Sequence, residues 1–168
     1  MGILGDDMKR VVREQRLGYA ATVCPDGTPS LSPKGTTAVW DDDHLVFADI
    51  CSPGTIANLA KNPAIEINVV DPIVRKGYRF KGTATVLSEG MLFDQVMAFY
   101  RRQHGLSDGI AARVRHLVLV KVERALALLS PAYDDGTTER EVVRKWSGYY
   151  ARLRRSDGDA PPLVSPRI

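Results

Sequence analysis

A mainly β fold, a small closed or nearly closed antiparallel barrel of six strands with flanking helices, is what this sequence predicts, and three observations carry it. Six segments of strand composition recur at short spacing, separated by stretches rich in Pro, Gly, Asp and Ser. Only two or three helical stretches lie between them. The length of 168 residues suits one compact domain and is too short for two ordinary ones. We therefore expect a single domain over residues 1–155 and a flexible tail over residues 156–168, "SDGDAPPLVSPRI".

The elements follow in order. "DDMKRVVREQRL" sets Met8, Val11, Val12 and Gln15 at helical spacing, with Asp6 or Asp7 as the cap. "LGYAATV" is a strand, "CPDGTP" a turn, and "SLSPKGTTAVW" a second strand with a hinge at Pro33 and Gly35. "DDDH" turns the chain into the strand "HLVFADI". A helix of barely two turns starts at Ser52-Pro53, and after Pro63 the strand "AIEINVVD" places Ile65, Ile67 and Val69 on one face. "PIVRKG" is a loop and "YRFKGTATVLSE" a long strand. "MLFDQVMAFYRRQHG" is a helix ended by Gly105, and "RVRHLVLVKVERALAL" the last long strand. From a Thr138 cap, a helix over residues 138–155 carries Val142, Val143, Trp146, Tyr149, Tyr150 and Leu153 as its apolar stripe.

Several function classes lose support at this level. No run of about 18 apolar residues exists to span a bilayer. Met1 to Leu4 is too short for a leader, with Asp6 and Asp7 where an apolar region should follow, so a cytoplasmic protein is expected. A formal charge of +3 is modest for a nucleic-acid binder. "RKGYRFKG" faintly resembles an RNA-recognition strand, but Arg79 breaks the pattern and no second aromatic strand follows, so an RNA-binding module is a lesser alternative. Cys24 and Cys51 have neither CxxC spacing nor a histidine at ligand spacing, and are expected to be buried or half-buried free thiols with no metal. His44, His104 and His116 fall in a turn, at a helix end and at a strand start, with no hydrolase motif, and read as structural or solvated.

The chemistry is concentrated in "ADICSPGTIANLAKNP", Ala48 to Pro63. A helix opening Ser52-Pro53-Gly54-Thr55 presents amide donors at the positive end of its dipole, which suits an anion such as a phosphate. The ordinary alternative is a self-satisfied cap, with the Ser52 hydroxyl taking the Thr55 amide. Two neighbouring strands add polar groups. In "YRFKG", Arg79 and Lys81 share one face, opposite Tyr78 and Phe80; in "SLSPKGT", Ser32, Lys34 and Thr36 share another. Together with the helix end they make a cradle for a phosphorylated, planar ligand.

"ATVCPDGTPSLSPKG", "LVFADICSPGTIANLAKNP", "IEINVVDP" and "RFKGTATVL" occur in the order and spacing of the FMN-binding split-barrel proteins related to pyridoxamine 5'-phosphate oxidase. The chain resembles that family from about Leu17 to Leu87. The resemblance implies a six-stranded split barrel of the FMN-binding type, a homodimer with the flavin at the subunit interface, and a small-molecule substrate rather than nucleic acid or membrane. By position it assigns Ser32, Pro33, Lys34, Gly35 and Thr36 to a strand beside the isoalloxazine and Ala48 and Asp49 to its flank. Ser52, Thr55 and Lys81 would approach the phosphate, and the strand pattern adds Arg79, which shares the face of Lys81. Lys34 is the candidate to stabilise negative charge at the pyrimidine edge of reduced flavin.

The chain also departs from that family. Gly54 and Thr55 stand where the oxidases carry an adjacent arginine and lysine, and "RKWSGYYARLRR" lacks their closing tryptophan and arginine pattern. The expectation is therefore an FMN-dependent oxidoreductase acting on something other than a B6 vitamer. One helix end and two strand cations match one phosphate, and no dinucleotide fingerprint is present for FAD. The alternatives are a deazaflavin (F420)-dependent reductase, whose polyglutamyl tail would use Arg75, Lys76 and the C-terminal arginines, or a flavin-binding protein without catalysis.

Overall fold

The computed structural model describes residues 2–156. All but the first residue of the tail expected at 156–168 lies outside the described residues. The chain groups into two compact units, one made of Met1–Asp71 with Gly77–Leu128 and the other of Pro72–Lys76 with Leu129–Ile168.

The first unit opens with helix α1, Asp6–Gln15. Its cap is Gly5 and not an aspartate; Asp6 and Asp7 sit in the first turn, where their charges favour the helix dipole. Strands β1 (Gly18–Val23), β2 (Pro29–Lys34), β3 (Ala38–Val39) and β4 (His44–Asp49) follow, then helix α2 (Pro53–Lys61). Strands β5 (Ala64–Asp71) and β6 (Lys76–Leu87), helices α3 (Met91–His104) and α4 (Asp108–Ala111), and strand β7 (His116–Leu129) complete it. Helix α3 ends at Gly105, whose φ of 61° is the left-handed conformation a glycine C-cap supplies. The four-residue α4 interrupts the stretch between Gly105 and β7, where the sequence predicts no element.

Seven strands form one sheet in the order β2-β1-β5-β6-β7-β4-β3. The expected count of six fails because the second predicted strand is two. Residues up to Lys34 pair with β1, while Ala38 and Val39 pair antiparallel with β4. Between them the Thr37 amide and hydroxyl both donate to the Lys34 carbonyl, at 3.2 and 2.8 Å. This break closes the sheet. A flat seven-stranded sheet would separate its edge strands by about 29 Å at ~4.8 Å per strand. The link from Lys34 to Ala38 reaches at most about 15 Å, so the two edges must curl toward each other.

The curl has an interior and an outer layer. Val12, Phe47, Ile67, Val69, Phe80, Val118 and Val120 fill the interior. Val46, Ala48 and Leu117, from the other face of β4 and β7, pack with Val96, Met97 and Tyr100 of α3. Strand β4 is thus buried on both faces, and its last residue, Asp49, is a charge carried to the end of a dry strand. Glycine is required where backbones meet closely: a Cβ on Gly82 would overlap the Lys121 carbonyl oxygen, and one on Gly77 the Val69 carbonyl oxygen.

The second unit holds one 3-10 turn, Pro131–Tyr133, and helix α5, Glu139–Ser156. Thr138 and Glu141 form a reciprocal cap, with the hydroxyl donating to Oε2 at 2.7 Å and the Glu141 amide donating back at 3.4 Å. Arg75 stacks over Trp146 at 4.2 Å, and Tyr133 donates to the Val74 carbonyl at 2.7 Å.

Candidate cofactor site

Strand β2 reaches the site by alternation. Ser32 lies opposite Ala20, which lies opposite Ile67, and both partners are buried. Ser32 and Lys34 therefore face the interior, while Leu31 and Pro33 face outward. Because β2 stops at Lys34, that side chain lies at the sheet's closing edge, next to the start of α2.

Lys34 is 3% exposed. Its ammonium donates to three hydroxyls, Ser52 Oγ at 2.7 Å, Ser32 Oγ at 2.8 Å and Thr55 Oγ1 at 3.0 Å, and stands 5.7 Å from the Phe47 ring centroid. This excludes the ordinary surface lysine, and it places the ammonium at the N-terminus of α2 among hydroxyls. Burial pushes its pKa down, and the nearby Asp49 carboxylate pushes it part of the way back.

The self-satisfied cap is also excluded. Ser52 occupies the N-cap position of α2 but its side chain caps no amide. Its backbone amide donates instead to Asp49 Oδ1 at 2.7 Å. The other carboxylate oxygen of Asp49 lies 3.2 Å from His116 Nδ1, and the two residues are register partners on β4 and β7. Thr36 follows the strand break, exchanges hydrogen bonds with the Ala48 backbone at 2.9 and 3.3 Å, and offers its carbonyl to Tyr100 Oη at 2.7 Å.

Of the expected residues, Ser32, Lys34, Ser52 and Thr55 meet at one ammonium, Asp49 joins through Ser52, and Thr36 joins Ala48. Gly35 and Pro33 are exposed at the rim. Arg79 and Lys81 are not part of this group. They flank the buried Phe80 on β6 and so occupy the opposite, outer face, where Arg79 pairs with Glu66 at 3.1 Å. Among the described residues no hydrogen bond or ion pair joins either cation to Ser52 or Thr55. Cys24 is half-buried as expected, but Cys51 is exposed, since it lies in the bend between β4 and α2. His116, expected to be structural or solvated, is in contact with Asp49 at 3.2 Å. Its signal is register with Asp49, 67 positions away, which no local pattern carries.

The chemistry of this donor set fits an oxyanion. A hydroxyl that accepts from an ammonium keeps its own proton to donate, so Ser32, Ser52 and Thr55 can each offer a polarised O–H. The first-turn amides of α2 have no intrahelical acceptor. A buried cation at the positive end of a helix dipole is electrostatically adverse by itself, and a bound anion would relieve it. Gly54 leaves that helix end open, since a Cβ there would meet nothing within 4 Å. Among the described residues no cluster of His, Cys, Asp and Glu could hold a metal ion, and no helix is long and apolar enough to cross a membrane.

Comparison with known proteins follows the barrel. The family model for pyridoxamine 5'-phosphate oxidase matches residues 4–128. The solved structure of Group A Streptococcus HupZ is 29% identical with a TM-score of 0.65, covering 75% of this chain and 94% of its own. An F420 reductase is 22% identical, TM-score 0.58, over 73% of this chain and 98% of its own. An FMN-binding protein from Syntrophomonas wolfei is 16% identical, TM-score 0.57, over 72% of this chain and 84% of its own. The last two share the fold. No curated protein matches the chain.

Proposed function

The chain belongs to the pyridoxamine 5'-phosphate oxidase family, and from that premise we propose that it is an FMN-binding oxidoreductase acting on a small organic molecule. The observation that carries the reading is the buried Lys34 ammonium held by three hydroxyls at the start of α2. In this reading Ser32, Ser52 and Thr55 donate to the flavin phosphate, the α2 amides add their dipole, and Lys34 supplies the balancing charge from behind. The flavin, when bound, supplies hydride or electron transfer. The protein's own part is to bind, orient and exclude water: Ala48 and Thr36 form a rigid wall beside the cradle, fixed by their mutual hydrogen bonds and by Tyr100. Arg79 and Lys81 have no part in the cradle of this protomer. A homodimer, with the flavin between subunits, completes the proposal.

Yellow colour in the purified protein and tight binding of FMN by the apoprotein are the expected results of an absorption and fluorescence titration. Tight F420 binding with negligible FMN affinity would replace this reading with the deazaflavin reductase. Binding of neither would end it.

A further inference from the structure

The anion cradle contains a buried carboxylate that an anionic ligand must tolerate. Asp49 is 3% exposed and accepts the Ser52 amide at 2.7 Å, so it occupies the same helix end as the proposed phosphate. Lys34 is the cation in hydrogen-bond contact with the cradle, and the formal charges of Lys34 and Asp49 cancel. A phosphate arriving there would meet a site with no net positive side chain.

His116 resolves this. Its Nδ1 lies 3.2 Å from Asp49 Oδ2, its side chain is 32% exposed and so can exchange protons with water, and the Arg115 amide fixes the strand junction by donating to the Asp49 carbonyl at 3.1 Å. Asp49 on β4 is the charged group in contact with it, Lys34 lies beyond Asp49 and Arg115 precedes it in the chain; β6, the other neighbour of β7, ends at Leu87, with Glu89 two residues further on. We propose that His116 is a positioning residue of the anion site: as an imidazolium it neutralises Asp49, freeing the charge of Lys34 for a phosphate on the α2 N-terminus. The proposal rests on the reading of that cluster as a phosphate site. The linkage has a definite sign. A phosphate that prefers the charged imidazolium binds more tightly where the histidine carries its second proton, so binding is expected to weaken as pH rises.

The test titrates FMN into apoprotein of the parent, His116→Gln and His116→Lys at about pH 6 and about pH 8.5, following flavin fluorescence. The ionisation of FMN itself is common to all three, so ratios between proteins isolate residue 116. The parent is expected to bind roughly tenfold more tightly than His116→Gln at the lower pH and about equally at the higher, the size of one imidazolium acting on a phosphate across a residue's width. His116→Lys, charged throughout, keeps the roughly tenfold advantage over His116→Gln at both. A parent-to-Gln ratio that does not change with pH, or a lysine variant no tighter than the glutamine variant, overturns the role of His116 and leaves the phosphate site standing. Absence of FMN binding by the parent at both pH values overturns the site and the role together.

Discussion

Lys34 concentrates the tension between stability and binding in one side chain. Its ammonium is desolvated and faces the positive end of α2, and three hydroxyls return only part of what water gave it. Burial costs the charged form of Lys34 more than Asp49 returns, and Asp49 keeps the Ser52 amide and His116 without it, so an apolar side chain of similar volume removes a net penalty. Lys34→Met is therefore expected to leave the apoprotein at least as stable as the parent while weakening FMN about ten- to a hundredfold, the loss of a charge-assisted cradle. The pH dependence follows from the direction of the Lys34 shift. Its folded pKa is below the ordinary 10.5, so the unfolded chain holds more protons between the two values, and stability rises with pH across that window. The methionine variant lacks that slope. Urea unfolding at about pH 7 and about pH 9.5 reads both effects, and a methionine variant more than about 1 kcal/mol less stable than the parent would refute the account. The residue types were legible: Ser32, Lys34, Ser52 and Thr55 stand in quotable motifs. What was not legible is that the lysine faces inward, because alternation fixes relative faces and only the pairing of β2 with β1 says which face is the interior.

Among the elements, three boundaries set by local signals came out where their residues put them. Gly105 ends α3, Thr138 caps α5, and Gly27, with a φ of 83°, turns β1 into β2. The misreading was "SLSPKGTTAVW", one strand by composition and two by pairing, since a switch of partner from β1 to β4 leaves no mark in local periodicity. Four-residue α4 is below the length at which helical period can be read. Similarly, Arg79 and Lys81 share a face as expected, yet that face is the outer one, because Phe80 takes the core. Gly82 marks another non-local constraint, a strand position pressed against the β7 backbone. Gly82→Ala is expected to cost about 3 kcal/mol or more, since the obstacle is a carbonyl oxygen and not a side chain that can swing away. Chemical denaturation showing a loss under about 1 kcal/mol would mean that β6 and β7 part more readily than their packing implies.

At the scale of the whole molecule, closure of the sheet by the three residues 35–37 determines what remains for a partner. The interior is filled, and α3 covers the outer side of β4 and β7. The outer face of β1, β2 and β5 carries Tyr19 at 43% exposure, Leu31 at 68% and Val70 at 37%. Tyr19 lies opposite Asn68, and Ala21 opposite both Leu31 and Glu66, so these groups form one continuous surface. Two buried polar atoms beside it, Asn68 Oδ1 and Arg79 Nε, have no hydrogen-bond partner among the described residues; the 3.1 Å contact of Arg79 with Glu66 is an ion pair out of line for a hydrogen bond. Apolar residues left in water beside unsatisfied polar atoms are the mark of a face that another chain covers. A second copy is the occupant we propose, since a self-complementary face closes into a two-fold dimer. Leu31 is the most exposed of these residues and contributes no side chain to the Lys34 cradle. Leu31→Glu is therefore expected to shift the protein from dimer to monomer at micromolar concentration with the barrel still folded, because a carboxylate facing its own symmetry mate is both desolvated and repelled. Light scattering on parent and variant, with circular dichroism to check the fold, decides it: a parent that is already a folded monomer, or a variant that remains dimeric, would show that this face is not the interface.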